Sequence, residues 1–320
     1  MKLITLIIVL LLERFWPVLS RLRADRAAEQ FLQRAHQRLA EVVGHTLATI
    51  LLWLGLPLIV LGVLNVAPHG LMGALVYMAA SLVVLLLLLA PRGAHHQVDA
   101  LQRACAEEDA AGIQTAWATL AGNIELAGAF AASAPTEHEA IENAADAAPK
   151  NQLISVQTLA GRIIILGFRE WFAVLFWFVL TGPAGALLYR LTDWFAHPPR
   201  SDSLTDAGCP RMAQWQAFMD WPAARVYAAL LLLAGGFNRG LTAWIEGATD
   251  ENAHLAKKNT ALIQRVGHAA LELEREDDCV QTVCLADQSQ WIKAASAIVL
   301  RALLLGLGLV ALLTLSSWIR

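Results

Sequence analysis

Charge is scarce in this sequence. Asp, Glu, Lys and Arg fill 16% of its 320 positions, against about a quarter in an ordinary soluble chain, while hydrophobic residues fill 57%. That deficit excludes a charged, soluble globular protein and points to an integral membrane protein. An excess of basic residues is missing too: the net charge of −3 gives no reason to expect a nucleic-acid partner. Four cysteines (Cys105, Cys209, Cys279, Cys284) sit in polar stretches without Cys-x-x-Cys spacing, so they read as free thiols in a reducing compartment and not as a disulfide framework or metal centre. Neither an internal repeat nor a coiled-coil heptad pattern occurs, and there is no Gly-x-x-x-x-Gly-Lys-Ser/Thr phosphate loop. Gly306-x-Gly308-x-x-Ala311 imitates a dinucleotide fingerprint, but it lies in an apolar run with no strand before it. Tyrosine is rare as well, three residues against eleven tryptophans, and Trp is the side chain that anchors at membrane interfaces.

What the sequence does have is long uncharged runs. Residues 42–64 carry only His45 near the start and Pro57 inside, and residues 70–90 carry no charge. Each is long enough for a spanning helix, which needs about 20 apolar residues. The short link between them lacks Lys and Arg, whereas arginines precede the pair and Arg92 and Arg103 follow it, so the hairpin tip faces outward. A third span is expected at 302–318, with Lys293 and Arg301 at its cytoplasmic end. Arg301 either snorkels to the interface or faces an interior site. Residues 1–12 (MKLITLIIVLLL) lack a small-x-small cleavage site, so they are read as retained. The ten residues after Lys2 reach about 15 Å as a helix, half the hydrocarbon core, and are read as a partial membrane helix.

The centre of the chain is harder to place. Gly161 to Trp194 (GRIIILGFREWFAVLFWFVLTGPAGALLYRLTDW) is apolar but carries Arg162, Arg169 and Glu170 at one end and Arg190 at the other, with Thr181-Gly182-Pro183 in its middle. Pro removes a donor and clashes with the preceding turn, and Gly adds freedom. Arginines at both ends favour placing both on one side. We read 163–192 as a broken or re-entrant helical pair, with a kinked but complete span as the alternative. Residues 222–236 read the same way: Pro222 stands where a helix would start, Asp220 is a plausible cap, and Arg225 and Arg239 flank a short apolar run.

The remaining stretches are polar. Arg21 to Leu39 is basic, with Leu22, Ala28, Leu32, Ala35 and Leu39 at helical spacing, which predicts an amphipathic helix on the cytoplasmic membrane surface near anionic lipid. Packing of that stripe on protein is the alternative. Residues 91–160 and 240–292 are predicted as helical cytoplasmic inserts, the second with a solvated acidic run at Glu272–Asp278, and His197 to Arg211 is predicted as loop. His95-His96 are adjacent and do not face one way on a helix, so they are read as surface residues. The fold class is all-α: one polytopic helical membrane domain over residues 1–320, with re-entrant or broken helices and a helical cytoplasmic part.

Several motifs resemble a known family. Leu12-Glu13-Arg14 and the basic segment after it, Phe168-Arg169 with Leu175-Phe176-Trp177, and Asp220-Trp221-Pro222 with Arg225 look like AmpE. Those are inner-membrane proteins of Gram-negative bacteria described as regulatory in β-lactamase induction. That family is similar in turn to the cobinamide-phosphate synthases (CbiB/CobD type), through Gly182-Pro183-Ala184 to Leu188-Tyr189-Arg190 and through Trp221 to Arg225. The synthases carry a Glu-Asn…Asp motif where this chain holds Ile165, Leu166 and Arg169. Of their later Arg-Asp…His…Pro-Asn motif, His254 and Asn259 match, while Asp250 and Glu251 replace Arg-Asp and Lys258 replaces Pro. Leu and Ile cannot ligate Mg²⁺ and Arg repels it, so the resemblance implies a non-enzyme.

The resemblance therefore implies an inner-membrane signalling protein linked to β-lactamase induction or cell-wall stress. Its partners would be the lipid bilayer and an anionic small molecule or a signalling protein. No catalytic residue, metal ligand or cofactor is assigned. The polar set that would line a pocket for an anion is Glu13, Arg169, Glu170, Arg190, Arg225, Glu251, His254 and Asn259, since arginines pair bidentately with carboxylate or phosphate. Two rivals stand beside this reading. One is a membrane-bound ATP-dependent ligase or transferase whose carboxylates have moved to Glu251 and the acidic run. The other is a transporter component, favoured by broken helices but disfavoured by the uncharged run from Val42 to Ala90.

Overall fold

A computed structural model of the chain describes residues 25–65, 71–89, 94–107, 112, 115–116, 156–196, 210–246, 254–271 and 285–319. Every described element is a helix. The expectations for residues 1–12, Glu13, Glu251, Cys209, the acidic run and most of the 91–160 insert lie outside the described residues. Four helical stretches are long and apolar enough to cross a membrane: His45–Gly62, Thr158–Thr181, Arg211–Ala234 and Gln290–Ser316. Tyr77–Leu88 is a shorter apolar helix. The chain is a helical membrane protein. It folds as two compact units, one made of Met1–Gly93, Arg169–Met219 and Gly306–Arg320, the other of Ala94–Phe168 and Asp220–Leu305.

In the first unit, α1 (Asp25–Val43) and α2 (His45–Asn65) meet at Gly44, whose φ of 88° lies in the left-handed region that glycine reaches without strain. The apolar stripe of α1 is half-buried on protein. Leu32, Ala35 and Leu39 pack onto a core of Leu52, Leu191, Trp194, Phe195 and Met212, leaving Arg34 and Arg38 exposed. The amphipathic pattern was legible, and packing on protein, the alternative reading, accounts for the buried part of its apolar face. His36 Nε2 lies 3.0 Å from Thr49 Oγ1, and that hydroxyl gives its proton to the His45 carbonyl at 2.8 Å. The imidazole is therefore the donor to Thr49. α3 (Leu71–Leu88), α6 (Ala173–Thr181) and α7 (Pro183–Ala196) complete the unit, with α7 packed on α2, α3 and α6. Trp53 Nε1 donates to Thr192 Oγ1 at 2.8 Å and ties α2 to α7.

The expected break at Gly182-Pro183 is present. Gly182 sits at φ 84° and donates to the Phe178 carbonyl at 2.8 Å, ending α6, and Pro183 opens α7, where its missing N–H costs nothing. A Cβ at Gly185 would overlap the Thr181 side chain, so the first turn of α7 closes on the last turn of α6 only with glycine there.

The second unit is built on α4 (Ala94–Ala106), α5 (Val156–Gly167) and α11 (Leu285–Ile319), whose Leu101, Ala104, Leu159, Ala160, Ile163, Leu166, Ile292 and Ala295 form one apolar core. α9 (Phe237–Glu246) packs on α10 (Leu255–Ala270), and α10 packs on α5. Gly267 is what lets α10 approach α5, since a Cβ there would come 2.6 Å from Ile164 Cδ1. Small residues at helix contacts are the usual means of close packing among membrane helices.

Three details depart from the sequence reading. The helix that begins at Val156 does not stop at Arg169-Glu170; it continues through a π-turn, Phe168–Phe172, into α6. Counting apolar residues from Trp171 therefore underestimates the helical stretch. Likewise α8 (Pro210–Ala234) starts inside the expected loop and runs through Pro222, which is helix interior and not a first turn. α11 begins well before residue 302, and Arg301 is exposed on it.

Candidate functional site

The candidate residues divide between the two units. In the first, Arg169 and Glu170 occupy the π-turn. A π-turn inserts a residue into the helical ladder and shifts its hydrogen bonds, and such insertions recur at functional sites. Glu170 is 3% exposed and Arg190 8%, so both charges are withdrawn from solvent. A charge taken out of water requires partners. Arg190 finds them on three elements. Its Nε donates to the Leu88 carbonyl at the end of α3 at 2.8 Å, its Nη2 to the Glu170 carbonyl in the π-turn at 3.3 Å, and its Nη1 lies 3.6 Å from Asp193 Oδ2 one turn on. The guanidinium thus donates to one carbonyl at a helix end, where the backbone carries partial negative charge, and to one in the π-turn. This is a clamp whose donors point at the protein. It does not simply mark interface depth. Arg169 is half-buried, and its Nη1 is buried with no hydrogen-bond partner among the described residues.

In the second unit the cation is differently held. Arg225, half-buried on α8, stacks over the exposed Trp221 ring at 4.1 Å and donates from Nη1 to the Trp221 carbonyl at 3.0 Å. The same Nη1 lies 3.5 Å from Asn259 Oδ1 on α10, at the limit of a hydrogen bond. Asn259 is 3% exposed, in the second turn of α10. His254 is the N-cap residue of that helix, exposed, with no side-chain capping bond, and the first turn contains no acid. Uncapped N–H groups and the positive end of the helix dipole favour an anion. Ring stacking fixes the plane of the guanidinium and leaves its remaining N–H groups for a carboxylate or phosphate. Of the eight residues proposed from sequence, Arg169, Glu170 and Arg190 share one unit, and Arg225, His254 and Asn259 share the other.

Two contributors were missed as site residues. Asp193 stands three positions after Arg190 and Trp221 four before Arg225, spacings that place side chains on one helix face. Both pairs were therefore available to a reading of local spacing. Among the described residues no three His, Cys, Asp or Glu side chains cluster as metal ligands.

A family model described as regulatory signalling modulator protein AmpE matches residues 1–315. The chain belongs to the AmpE family. No curated protein and no solved structure matches it. The family match covers every residue of both arginine sites and carries a regulatory, signalling description, in agreement with the sequence resemblance.

Proposed function

We propose that this AmpE-family protein is a multi-pass regulator of the bacterial inner membrane, linked to β-lactamase induction or cell-wall stress, and that it responds to an anionic small molecule. In this reading it is a non-catalytic relative of the cobinamide-phosphate synthases, with 163–192 as a broken membrane segment and 222–236 as part of a kinked but complete span. The observation that carries the ligand is Arg225: a cation stacked on Trp221, beside Asn259 and the uncapped start of α10, with a fork left for an oxyanion. His254 and Asn259 complete that site, and Glu251, Glu13, Arg169 and Glu170 are further candidates for ligand contact. Arg190 is placed here as the scaffold of the first unit.

The side chains at the synthase-like acidic positions support the non-catalytic reading. Ile165 is 2% exposed and Leu166 is 8% exposed, and Leu166 packs in the core with Leu159 and Ile163. Apolar side chains committed to a core hold no metal-bound phosphate.

The test is a β-lactam-induction reporter in a strain lacking the protein, complemented with wild type or with Arg225→Ala, alongside thermal unfolding of the purified protein with muropeptide fragments, amino-alcohol phosphates, a corrinoid, or ATP with Mg²⁺. A ligand at 100 times its Kd stabilises by about 2.7 kcal/mol. The expected result is a melting shift with an anionic ligand, lost in Arg225→Ala together with the induction response. Turnover of ATP with an amino-alcohol phosphate would replace this reading with the ligase. Unchanged induction with Arg225→Ala would remove the site from the regulatory role.

A further inference from the structure

Helix α9 has more exposed apolar surface than a solvated insert should carry. At 3.6 residues per turn its side chains fall into three sectors. One faces protein: Gly240 is buried, Ala243 and Trp244 are half-buried, and a Cβ on Gly240 would overlap Leu232. The second is polar, with Asn238, Arg239 and Thr242 exposed. The third is apolar and uncovered: Phe237 is 50% exposed, Leu241 41% and Ile245 62%. The stripe does not begin with α9. Leu233, four residues before Phe237 and 63% exposed, is the next-to-last residue of the stretch Arg211–Ala234, which is long and apolar enough to cross a membrane.

We propose that α9 lies in the headgroup layer of the bilayer, with Phe237, Leu241 and Ile245 in contact with lipid and Arg239 beside anionic phosphate. Length and connection lead to this placement. Ten residues make a helix about 15 Å long, half of what crossing requires. The corner that joins α9 to α8 is Gly235-Gly236, held where Gly235 N–H meets the Leu231 carbonyl at 3.1 Å and Gly236 N–H meets the Ala270 carbonyl at 3.4 Å. Two residues carry the chain at most about 7 Å, and each headgroup layer is about 5 to 7 Å thick. A helix that starts so close to the end of an apolar span starts within that layer. A short helix with one apolar face and a polar neighbouring face that carries Arg239 and Glu246 is the form that lies in the interface plane. Lipid is favoured over a protein partner because exposed apolar side chains, Leu233 near the end of the apolar stretch of α8 and Phe237 at the start of α9, flank the two-residue corner.

The experiment uses the full-length chain with Cys105, Cys209, Cys279 and Cys284 replaced by Ser and a single Cys introduced in turn at Phe237, Asn238, Leu241, Thr242 and Ile245. Each variant is nitroxide-labelled, reconstituted into phosphatidylethanolamine–phosphatidylglycerol vesicles, and measured for collision with oxygen, which concentrates in the bilayer, and with a nickel chelate, which stays in water. The expected result is an oxygen-to-nickel collision ratio several-fold higher at 237, 241 and 245 than at 238 and 242. Equal, water-like ratios at all five positions would overturn the proposal. So would labels at 237, 241 and 245 that are immobile and shielded from both reagents, which would assign the stripe to a second copy of the chain or another protein. If one replacement does not fold, the other two apolar positions carry the same comparison.

Discussion

Arg190 and Arg225 are both arginines on helices, yet their environments assign them opposite roles. Arg190 is enclosed, with Nε and Nη2 on backbone carbonyls and Nη1 beside Asp193. Arg225 is half-buried, held on one face by Trp221 and at one nitrogen by a carbonyl and Asn259. A guanidinium whose donors are directed at its own fold can hold helices together. One whose fork is only partly used by its own fold can meet a ligand. The difference between the units is therefore between a clamp and a receptor for charge, and it is open to measurement.

The strongest way to break the comparison is Arg190→Ala. It removes a donor from two carbonyls and the cation beside buried Asp193, a loss of about 3 to 5 kcal/mol. Thermal unfolding in detergent should show a drop of many degrees or a failure to accumulate. Arg190→Lys should recover little of it, because an ammonium cannot reach three elements at once. If Arg190→Ala melts like wild type, the clamp does not exist.

Next in size is Gly182→Ala. At φ 84° a Cβ is strained, and it would also sit 3.2 Å from the Tyr77 hydroxyl, so a loss of about 1 to 2 kcal/mol is expected in the same unfolding measurement. An unchanged midpoint would mean that the α6–α7 corner tolerates another geometry. Arg225→Ala should cost less, about 0.5 to 1 kcal/mol for the lost stacking, and should act on ligand-induced stabilisation instead. A large drop in the melting temperature without ligand would make Arg225 a second clamp and erase the contrast. Arg225→Lys sharpens the point: it keeps the charge but loses the planar fork, so ligand stabilisation should fall while folding is retained.

The smallest expected effect concerns pH and lies in the first unit. Burial, and then the nearby His45, hold the His36 imidazole below its usual value. The folded protein therefore binds fewer protons at this site than the unfolded chain, and the stability it contributes is complete above the ordinary histidine value and lost as pH falls below it. The melting midpoint of wild type should decline between pH 7 and 5. His36→Gln, which keeps a donor for Thr49, should decline less; an identical slope would exclude His36 as the cause.

The apolar runs and one helix break were legible because they follow from local rules. The uncharged runs contain the helices His45–Asn65 and Leu71–Leu88, and Gly182-Pro183 ends one helix and starts another by backbone geometry alone. Other local signals misled. Arg169-Glu170 and Pro222 read as boundaries, because charge and a missing donor usually end an apolar helix. Here the chain runs through both. At Glu170 the carbonyl in the π-turn is met by Arg190, twenty residues away in sequence, and no local pattern announces that bond.

The sequence by itself determined that the chain is a helical membrane protein of the AmpE family and where its principal helix break falls, since composition, hydropathy and backbone permissiveness act at each position independently of the rest. Only the tertiary structure decided which arginine is enclosed and which is offered, and that the stripe of α1 packs on protein while that of α9 is left uncovered. The partners that decide burial, Leu88 for Arg190 and Asn259 for Arg225, come from distant helices, and helix packing alone brings them together.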